Sequence, residues 1–482
     1  MQVLQVCAEI FPLLKTGGLA DVAGALPAAL AAEGAPTRSL LPGFAPILAG
    51  LRNPVKVADL PARAGVPPAS LLYGEMPALG GAPAYVVDAP YLYHRAGGPY
   101  ADAQQRPYAD NHLRFARLGW AAAELAHGID PWWQPELVHA HDWHAGLAPA
   151  CLKASNAPVA SVFTIHNLAY QGVFAPHHFG ELGLPGHFFG VQGLEAWGNL
   201  NFMKAGLFFA DRITTVSPTY AQEIQGEEQG MGLHGLLRSK AWALHGILNG
   251  VDPAVWSPAQ DALIAQSYDA HKLTGKKRCK AALQALMGLK AAPDAPLFVV
   301  ISRLTEQKGL HLVQELVPGL VERGAQLALL GSGDAGMEAA FRELAARWPA
   351  SVGVRIGYDE SLAHQLVAGG DVIMVPSRFE PCGLTQLYGL AYGTLPLVRR
   401  VGGLADTVTD SSLEAMDAGQ ATGFVFDEFS SAAMDVAVRR ALALYRRRHD
   451  WQAVQHQAMA RQHDWGVAAR AYLGVYHAAL GR

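Results

Sequence analysis

The residues able to do chemistry fall at the ends of short apolar runs. After Asp371–Pro376 (DVIMVP) comes a loop holding Arg378, Glu380, Pro381 and Gly383, then a helix-forming stretch, Thr385–Tyr392, closed by Gly393. Glu380 thus sits where a strand gives way to a helix, beside backbone N–H groups that favour negative charge on a ligand. This is the layout of a ligand site at the carboxyl end of a parallel sheet. Arg303, Glu306, Lys308 and Gly309 follow another such run, Leu297–Ile301. Near the N-terminus, Val3–Val6 leads to Lys15-Thr16-Gly17-Gly18. Two glycines there let backbone approach a ligand closely, and a lysine can meet phosphate as a point charge. A tight turn with a solvated lysine fits the same residues, which form neither a Walker loop nor GxGxxG.

Two further runs end in polar clusters. Leu137–Asp142 (LVHAHD) gathers His139, Asp142 and His144, with His139 and His141 on one strand face. Val159–His166 ends in His166-Asn167, followed by Tyr170-Gln171-Gly172. The histidines suggest a metal, but the next candidate ligands are distant and no zinc spacing occurs, so the expectation is a polar site or core histidines and no metal. Tyr91, Tyr93, His94, Tyr100 and Tyr108 could stack on sugar faces or simply be half-buried. Gly331, Gly333 and Gly336 (GSGDAG) match GxGxxG literally. A dinucleotide site would need that motif in the first βαβ unit with an acid about 20 residues on, so a tight strand-to-helix turn is expected instead.

These positions require a particular scaffold. Short apolar strands at Val3–Val6, Ala84–Val87, Leu137–Asp142, Val159–His166 and Ile213–Val216 alternate with helices at Val22–Glu33, Leu113–Ala126, Ala145–Ala154 and Asn201–Ala210. Ser217-Pro218 caps the next helix, Ile247–Val251 closes this half, and residues 51–110 and 173–200 read as irregular. After a Pro-rich junction the pattern restarts with Leu297–Ile301, Gln326–Leu330, Val352–Ile356, Asp371–Pro376 and Leu395–Val398, the last leading to a Gly402-Gly403 turn. The tail, Ala432–Gly481, is mostly helical. Both halves therefore predict parallel sheets covered by helices, with a cleft between them.

The chain has 482 residues, which argues for two or three domains. It is 51% hydrophobic and 16% charged, with a formal charge of −4 and no large basic block. That excludes nucleic acid and anionic membranes as expected partners. Four dispersed cysteines, Cys7, Cys151, Cys279 and Cys382, form no CxxC pair and predict reduced thiols in the cytoplasm. The apolar N-terminus has no basic residue before Lys15, so no signal peptide is expected. No apolar run reaches the ~18 residues of a membrane span.

Together the motifs resemble one family, the bacterial glycogen synthases and plant starch synthases (glycosyltransferase family 5). The resemblance rests on KTGGLADV at Lys15–Val22, HAHDWHAGL at His139–Leu147, TIHNLAYQG at Thr164–Gly172, LNGVD at Leu248–Asp252, SRLTEQKG at Ser302–Gly309 and the stretch Ser377–Val408. They occur in order over nearly the whole chain. One departure is His234 in GMGLHG (Gly230–Gly235), where the family more often has an acid.

The resemblance implies a GT-B fold, with two Rossmann-like domains facing across a deep cleft. Domains are expected at 1–246 (acceptor side), 247–456 (nucleotide sugar) and 457–482 (a helix returning to the first). The implied reaction moves glucose from ADP-glucose to the non-reducing end of an α-1,4-glucan with retention, releasing ADP, without metal or cofactor. The family's roles fall on Arg303, Lys308, Lys15 and Gly18 for the diphosphate, with Asp21 beside them and the N–H groups of Gly383, Leu384 and Thr385 assisting. Glu380 answers the positive charge at the anomeric carbon. His166, Asp142, Asn167 and Asn249 lie near the glucose, Tyr358 is placed to stack on adenine, and Cys382 lies in the same loop as Glu380. Alternatives are a UDP-glucose enzyme of the same fold, a phosphorylase, and a non-catalytic glucan-binding homologue. Oligomeric state is not legible.

Overall fold

The first strand, Val3–Val6 (β1), is buried throughout and apolar but for Gln5, whose side-chain amide donates to the Ala23 carbonyl, as suits a strand covered by helices on both faces. Around it the computed structural model, which describes residues Met1–Gly481, builds a nine-stranded sheet. Its other strands are Thr37–Pro42 (β2), Arg52–Leu60 (β3), Ala69–Met76 (β4), Ala82–Asp88 (β5), Leu137–His141 (β6) and Ala160–Ile165 (β7). After a small antiparallel sheet of Val173–Phe174 (β8), Glu195–Ala196 (β9) and Asn199–Asn201 (β10), Arg212–Thr215 (β11) and Leu244–Gly246 (β12) complete it. The spatial order is β12-β11-β7-β6-β1-β2-β5-β4-β3.

Three expectations change here. The sheet is not parallel throughout: β3, β4 and β5 pair antiparallel. Only Pro77–Leu79 and two left-handed glycines, Gly80 and Gly81, join β4 to β5, too short a link for a parallel crossover. The closing strand is Leu244–Gly246, not Ile247–Val251. And the segment 173–200 holds the small β8-β10-β9 sheet.

A second sheet is parallel throughout: Leu297–Ile301 (β13), Gln326–Gly331 (β14), Val352–Ile356 (β15), Val372–Val375 (β16), Leu395–Arg399 (β17) and Phe424–Phe426 (β18), in the order β15-β14-β13-β16-β17-β18. Gly402-Gly403, expected as a turn, instead opens the helix Gly402–Thr407.

The chain divides into two compact units, Met1–Gly250 with Trp465–Arg482, and Val251–Asp464. The boundaries expected after 246 and 456 both move. Residues 247–250 stay with the first unit, and the helix Arg448–Met459 runs through position 456. The final helix, Trp465–Ala479, packs Trp465, Tyr472, Val475 and Tyr476 against Val22, Leu26 and Leu30 of the helix Gly18–Ala32. Each large side chain buried this way contributes roughly 1.5–3 kcal/mol. The Tyr476 hydroxyl lies 2.7 Å from His139 Nδ1, which fastens that helix to the interior of the first unit. Among the described residues no helix is long and apolar enough to cross a membrane.

Candidate active site

In the second unit the chain runs from β13 outward to β14 and β15, then returns to β16 on the other side of β13. Ligands of open α/β sheets bind at such a reversal. Both neighbouring strands lead into candidate residues. Lys308 ends the turn Glu306–Lys308, and Gly309 follows with φ +68°. A Cβ on Gly309 would lie 2.1 Å from the Pro376 carbonyl oxygen, so only glycine lets this turn press on the loop after β16. Lys308 Nζ donates to Glu380 Oε2 at 2.6 Å, and Ser377 Oγ donates to the same oxygen at 2.8 Å. Glu380 is 6% exposed.

The loop carrying Glu380 is fixed from beneath. A Cβ on Gly402 (φ +44°) would lie 1.9 Å from the Glu380 carbonyl oxygen, and one on Gly403 would lie 2.1 Å from that of Cys382. Gly403 N–H donates to the carbonyls of Glu380 and Pro381. Buried Gln386 donates from Nε2 to the carbonyls of Cys382 and Gly383. Gly383 (φ +74°) and Leu384 then enter the helix Thr385–Tyr392, whose start no side chain caps. Cys382 is buried. Arg303 is exposed just beyond β13, and Tyr358 is exposed beyond β15 with its hydroxyl on Glu360. The GSGDAG segment proves to be a packing device: Gly331 and Gly333 lie against the backbone of Ser302 and Leu304, and Asp334 caps the helix Ala335–Arg347.

The first unit has its own reversal between β1 and β6. Beyond β1, Lys15 Nζ pairs with Asp21 Oδ1 at 2.8 Å, in the first turn of the helix that Gly18 begins. A Cβ on Gly17 would meet no heavy atom within 4 Å, so the loop is open above that helix start. Glu9, 2% exposed, accepts from the backbone N–H and hydroxyl of Thr16 and from the Tyr100 hydroxyl, and so anchors the loop.

Beyond β6, Asp142 adopts φ +56°, an unusual conformation for a residue with a Cβ. Its Oδ1 accepts from His166 N–H at 2.7 Å and, more weakly, from Asn167 N–H at 3.5 Å. Asn167 turns its own Oδ1 to Ala169 N–H. His141 Nδ1 lies 2.9 Å from His166 Nε2. His141 Nε2 is buried without a partner among the described residues. An orphaned N–H is the rarer arrangement, so His141 carries its proton on Nδ1 and donates it to His166. His166 then holds its proton on Nδ1. Asn249, beyond β12, is 6% exposed, and its Oδ1 is likewise buried without a partner among the described residues.

Burial sets the charges in this cluster. It lowers His139, His144 and His166 to about 3 and His141 well below its ordinary value, with neighbouring histidines adding to the effect for all but His166. Burial raises the Asp142 carboxyl to about 7 against the two backbone N–H groups that lower it, with Glu9 adding to the rise. At pH 7 the histidines are neutral donors and acceptors.

Comparison with known proteins agrees with this architecture. Residues 2–239 match the family model "Starch synthase catalytic domain", and residues 288–455 match "Glycosyl transferases group 1". The chain is 62% identical to a glycogen synthase of Leptothrix cholodnii, over 99% of each chain. The chain belongs to the glycogen synthase family. It is a glycosyltransferase of GT-B fold. A second relative, the glycogen synthase of Variovorax paradoxus, is 60% identical over 100% of this chain and 99% of its own. The catalytic domain of starch synthase IV from Arabidopsis thaliana, solved with ADP and acarbose, superposes with a TM-score of 0.89 at 29% identity, covering 100% and 99% of the two chains. Sucrose-phosphate synthase from Thermosynechococcus elongatus shares the fold at 17% identity and a TM-score of 0.59.

Within each unit the expected residues gather as two groups. Lys308, Glu380, Cys382, Gly383, Leu384 and Thr385 share the β13/β16 reversal with Arg303, and Tyr358 stands farther along the same sheet edge. Lys15, Gly18, Asp21, Asp142, His166, Asn167 and Asn249 share the strand ends of the first sheet. Sequence reasoning missed Glu9, Ser377 and Gln386 as supports. Their partners are set by tertiary contact, and only the acid at Glu9 within an apolar stretch gave a signal.

Proposed function

We propose that the protein transfers glucose from ADP-glucose to the non-reducing end of an α-1,4-glucan, with retention and release of ADP. The observation that carries this reading is the placement of Arg303, Lys308 and Glu380 at adjoining strand ends where the second sheet reverses its order. Arg303 and Lys308 hold the diphosphate, with the uncapped N–H groups of Gly383, Leu384 and Thr385 adding to them. Charge-assisted hydrogen bonds of this kind contribute about 1.5–3 kcal/mol each. Tyr358 stacks on the adenine, and Cys382 lines the loop beside the sugar. Glu380 faces the positive charge that grows at the anomeric carbon as the diphosphate leaves.

The first unit binds the sugar. Its neutral His166 donates from Nδ1 to a hydroxyl, Asp142 and Asn167 sit beside it, and Asn249 Oδ1 accepts from another hydroxyl. Lys15 exchanges its bond to Asp21 for phosphate when the donor arrives, next to Gly18. The ADP carried by the Arabidopsis catalytic domain supports an adenine nucleotide, and its acarbose supports a glucan acceptor. A cytoplasmic location belongs to the same proposal, supported by four buried cysteines outside any disulfide.

The test is ADP release from ADP-glucose, run beside UDP-glucose, with and without glycogen and with a chelator. Glycogen-dependent release from ADP-glucose, indifferent to chelator, is the expected result. Release from UDP-glucose alone moves the donor assignment, and release from neither overturns the reaction.

A further inference from the structure

One group of metal-ligating side chains lies apart from the residues assigned above. His112 stands in the first turn of the helix Asn111–Ala126 and is 3% exposed. His178 and Glu181 stand on the turn Pro176–Glu181. One candidate ligand atom from each of the three lies within 4.8 Å of the other two. His112 Nε2 is 2.7 Å from Glu181 Oε2, and His178 Nδ1 is 3.2 Å from Glu181 Oε1. The two rings are 3.9 Å apart between centroids. His112 Nδ1 is buried without a partner among the described residues, so the polar contact this ring makes points into the group.

The backbone holds the carboxylate in place. Gly65 N–H donates to the Glu181 carbonyl at 2.9 Å, and a Cβ on Gly65 would lie 2.7 Å from Glu181 Cβ.

We propose that His112, His178 and Glu181 bind one divalent transition-metal ion of the Zn2+ class. Two imidazoles and one carboxylate suit Zn2+, Co2+ or Ni2+, whereas Mg2+ and Ca2+ select oxygen ligands. With bonds of about 2.0–2.2 Å to each ligand, a tetrahedral ion needs ligand atoms a little over 3 Å apart; each histidine already lies 2.7 or 3.2 Å from a Glu181 oxygen, and the three ligand atoms lie within 4.8 Å of one another. The ligating nitrogens must be free of protons, so each ring binds as a neutral imidazole with its one proton on the other nitrogen, Nδ1 of His112 and Nε2 of His178, and any second proton leaves to solvent. His178 and Glu181 are partly exposed, which leaves a fourth position for water. The ion ties the turn Pro176–Glu181 to the helix Asn111–Ala126. It takes no part in glucosyl transfer, so the proposal stands or falls separately from the reaction assigned above.

The test uses the full chain, stripped with chelator, and Co2+ and Zn2+ as probes. One equivalent of Co2+ should give visible d–d absorption of low-coordinate geometry. Zn2+ should displace it and raise the melting temperature by several degrees. His178→Ala and Glu181→Gln should weaken binding by more than the roughly 10–100-fold that loss of an outer-shell partner costs, and they should abolish the thermal shift. His177→Ala, on the neighbouring ring that lies tilted against His178 with centroids 4.1 Å apart, should retain both. His112→Asn repeats the test from the helix side, but the partly exposed pair keeps the test decisive if that variant does not fold. Absence of saturable binding at one equivalent overturns the proposal. So does binding that His178→Ala and Glu181→Gln leave unchanged, because the ion would then sit on other histidines.

Discussion

Replacing Asp142 by asparagine should stabilise the first unit and inactivate the enzyme together. Asp142 is 7% exposed, and burial raises its carboxyl from 3.8 to about 7. At 1.36 kcal/mol per pH unit, that displacement corresponds to at most about 4 kcal/mol of cost for keeping the carboxylate charged, so a gain on the order of 2–4 kcal/mol is expected from removing it. Asparagine is the replacement that preserves geometry. It tolerates the left-handed φ of +56°, and its Oδ1 can still accept from His166 N–H.

The pH dependence follows from linkage. A carboxyl whose folded value is raised binds more protons in the native state than in the unfolded state between about 4 and 7. Wild-type stability therefore falls as pH rises through that window and is level above it. The gap between Asp142→Asn and wild type should be near zero at pH 4 and full above pH 7, where at ~2–4 °C per kcal/mol it becomes roughly 4–16 °C in melting temperature. Thermal melts at pH 4.5 and pH 8, with glucosyl transfer measured on the same samples, make the test. If Asp142 sits beside the reacting sugar as proposed, turnover should drop by about 100-fold or more. A variant less stable than wild type at pH 8, or a gap that ignores pH, would refute the burial argument.

Three further outcomes follow from the same geometry. Lys308→Met strands the buried Glu380 carboxylate and should cost the second unit on the order of 2–4 kcal/mol in denaturant unfolding; Lys308→Met with Glu380→Gln should recover most of that stability and no turnover. His141→Phe removes the donor that sets the His166 tautomer, so kcat should fall about 10–100-fold with KM for glucan little changed; His141→Asn, whose Nδ2 overlays Nδ1, should restore most of it, and failure to do so would sink the tautomer assignment. Gly402→Ala brings a Cβ to 1.9 Å from the Glu380 carbonyl oxygen and should lower turnover far more than Gly17→Ala, which meets nothing within 4 Å.

How much of this was legible depended on whether a contact was local. Strands buried on both faces announce themselves as apolar runs, unbroken in Leu297–Ile301 and interrupted only by Gln5 in Val3–Val6. The edge strand Arg52–Leu60 does not, because most of it is exposed and it carries Pro54, Lys56 and irregular pairing. The motif residues were readable by type and spacing, but their states were not. Nothing local says that Lys15 spends its charge on Asp21, or that Tyr100 reaches Glu9 across 91 positions. Gly402-Gly403 looked like a turn because glycine pairs usually are. Here the missing Cβ atoms instead let a helix start abut the Glu380 loop.

The two clusters also differ in electrical character. In the first unit burial leaves His139, His141, His144 and His166 neutral at pH 7 and brings Asp142 to the edge of ionisation. Apart from Lys15, Asp21 and the buried Glu9, such a cluster offers directional hydrogen bonds and little charge, which suits a polyol. In the second unit Lys308 is paired with the Glu380 carboxylate, an uncapped helix start follows the same loop, and Arg303 stands exposed beyond the adjoining strand, which suits a diphosphate gaining charge. A sugar whose leaving group is anionic needs both, because the cations assist departure while the neutral groups hold the ring without stabilising the ground-state charge. Exchanging the two characters, by charging His166 or neutralising Lys308, would therefore weaken the transition state more than the bound donor, and the loss should appear in kcat before it appears in KM.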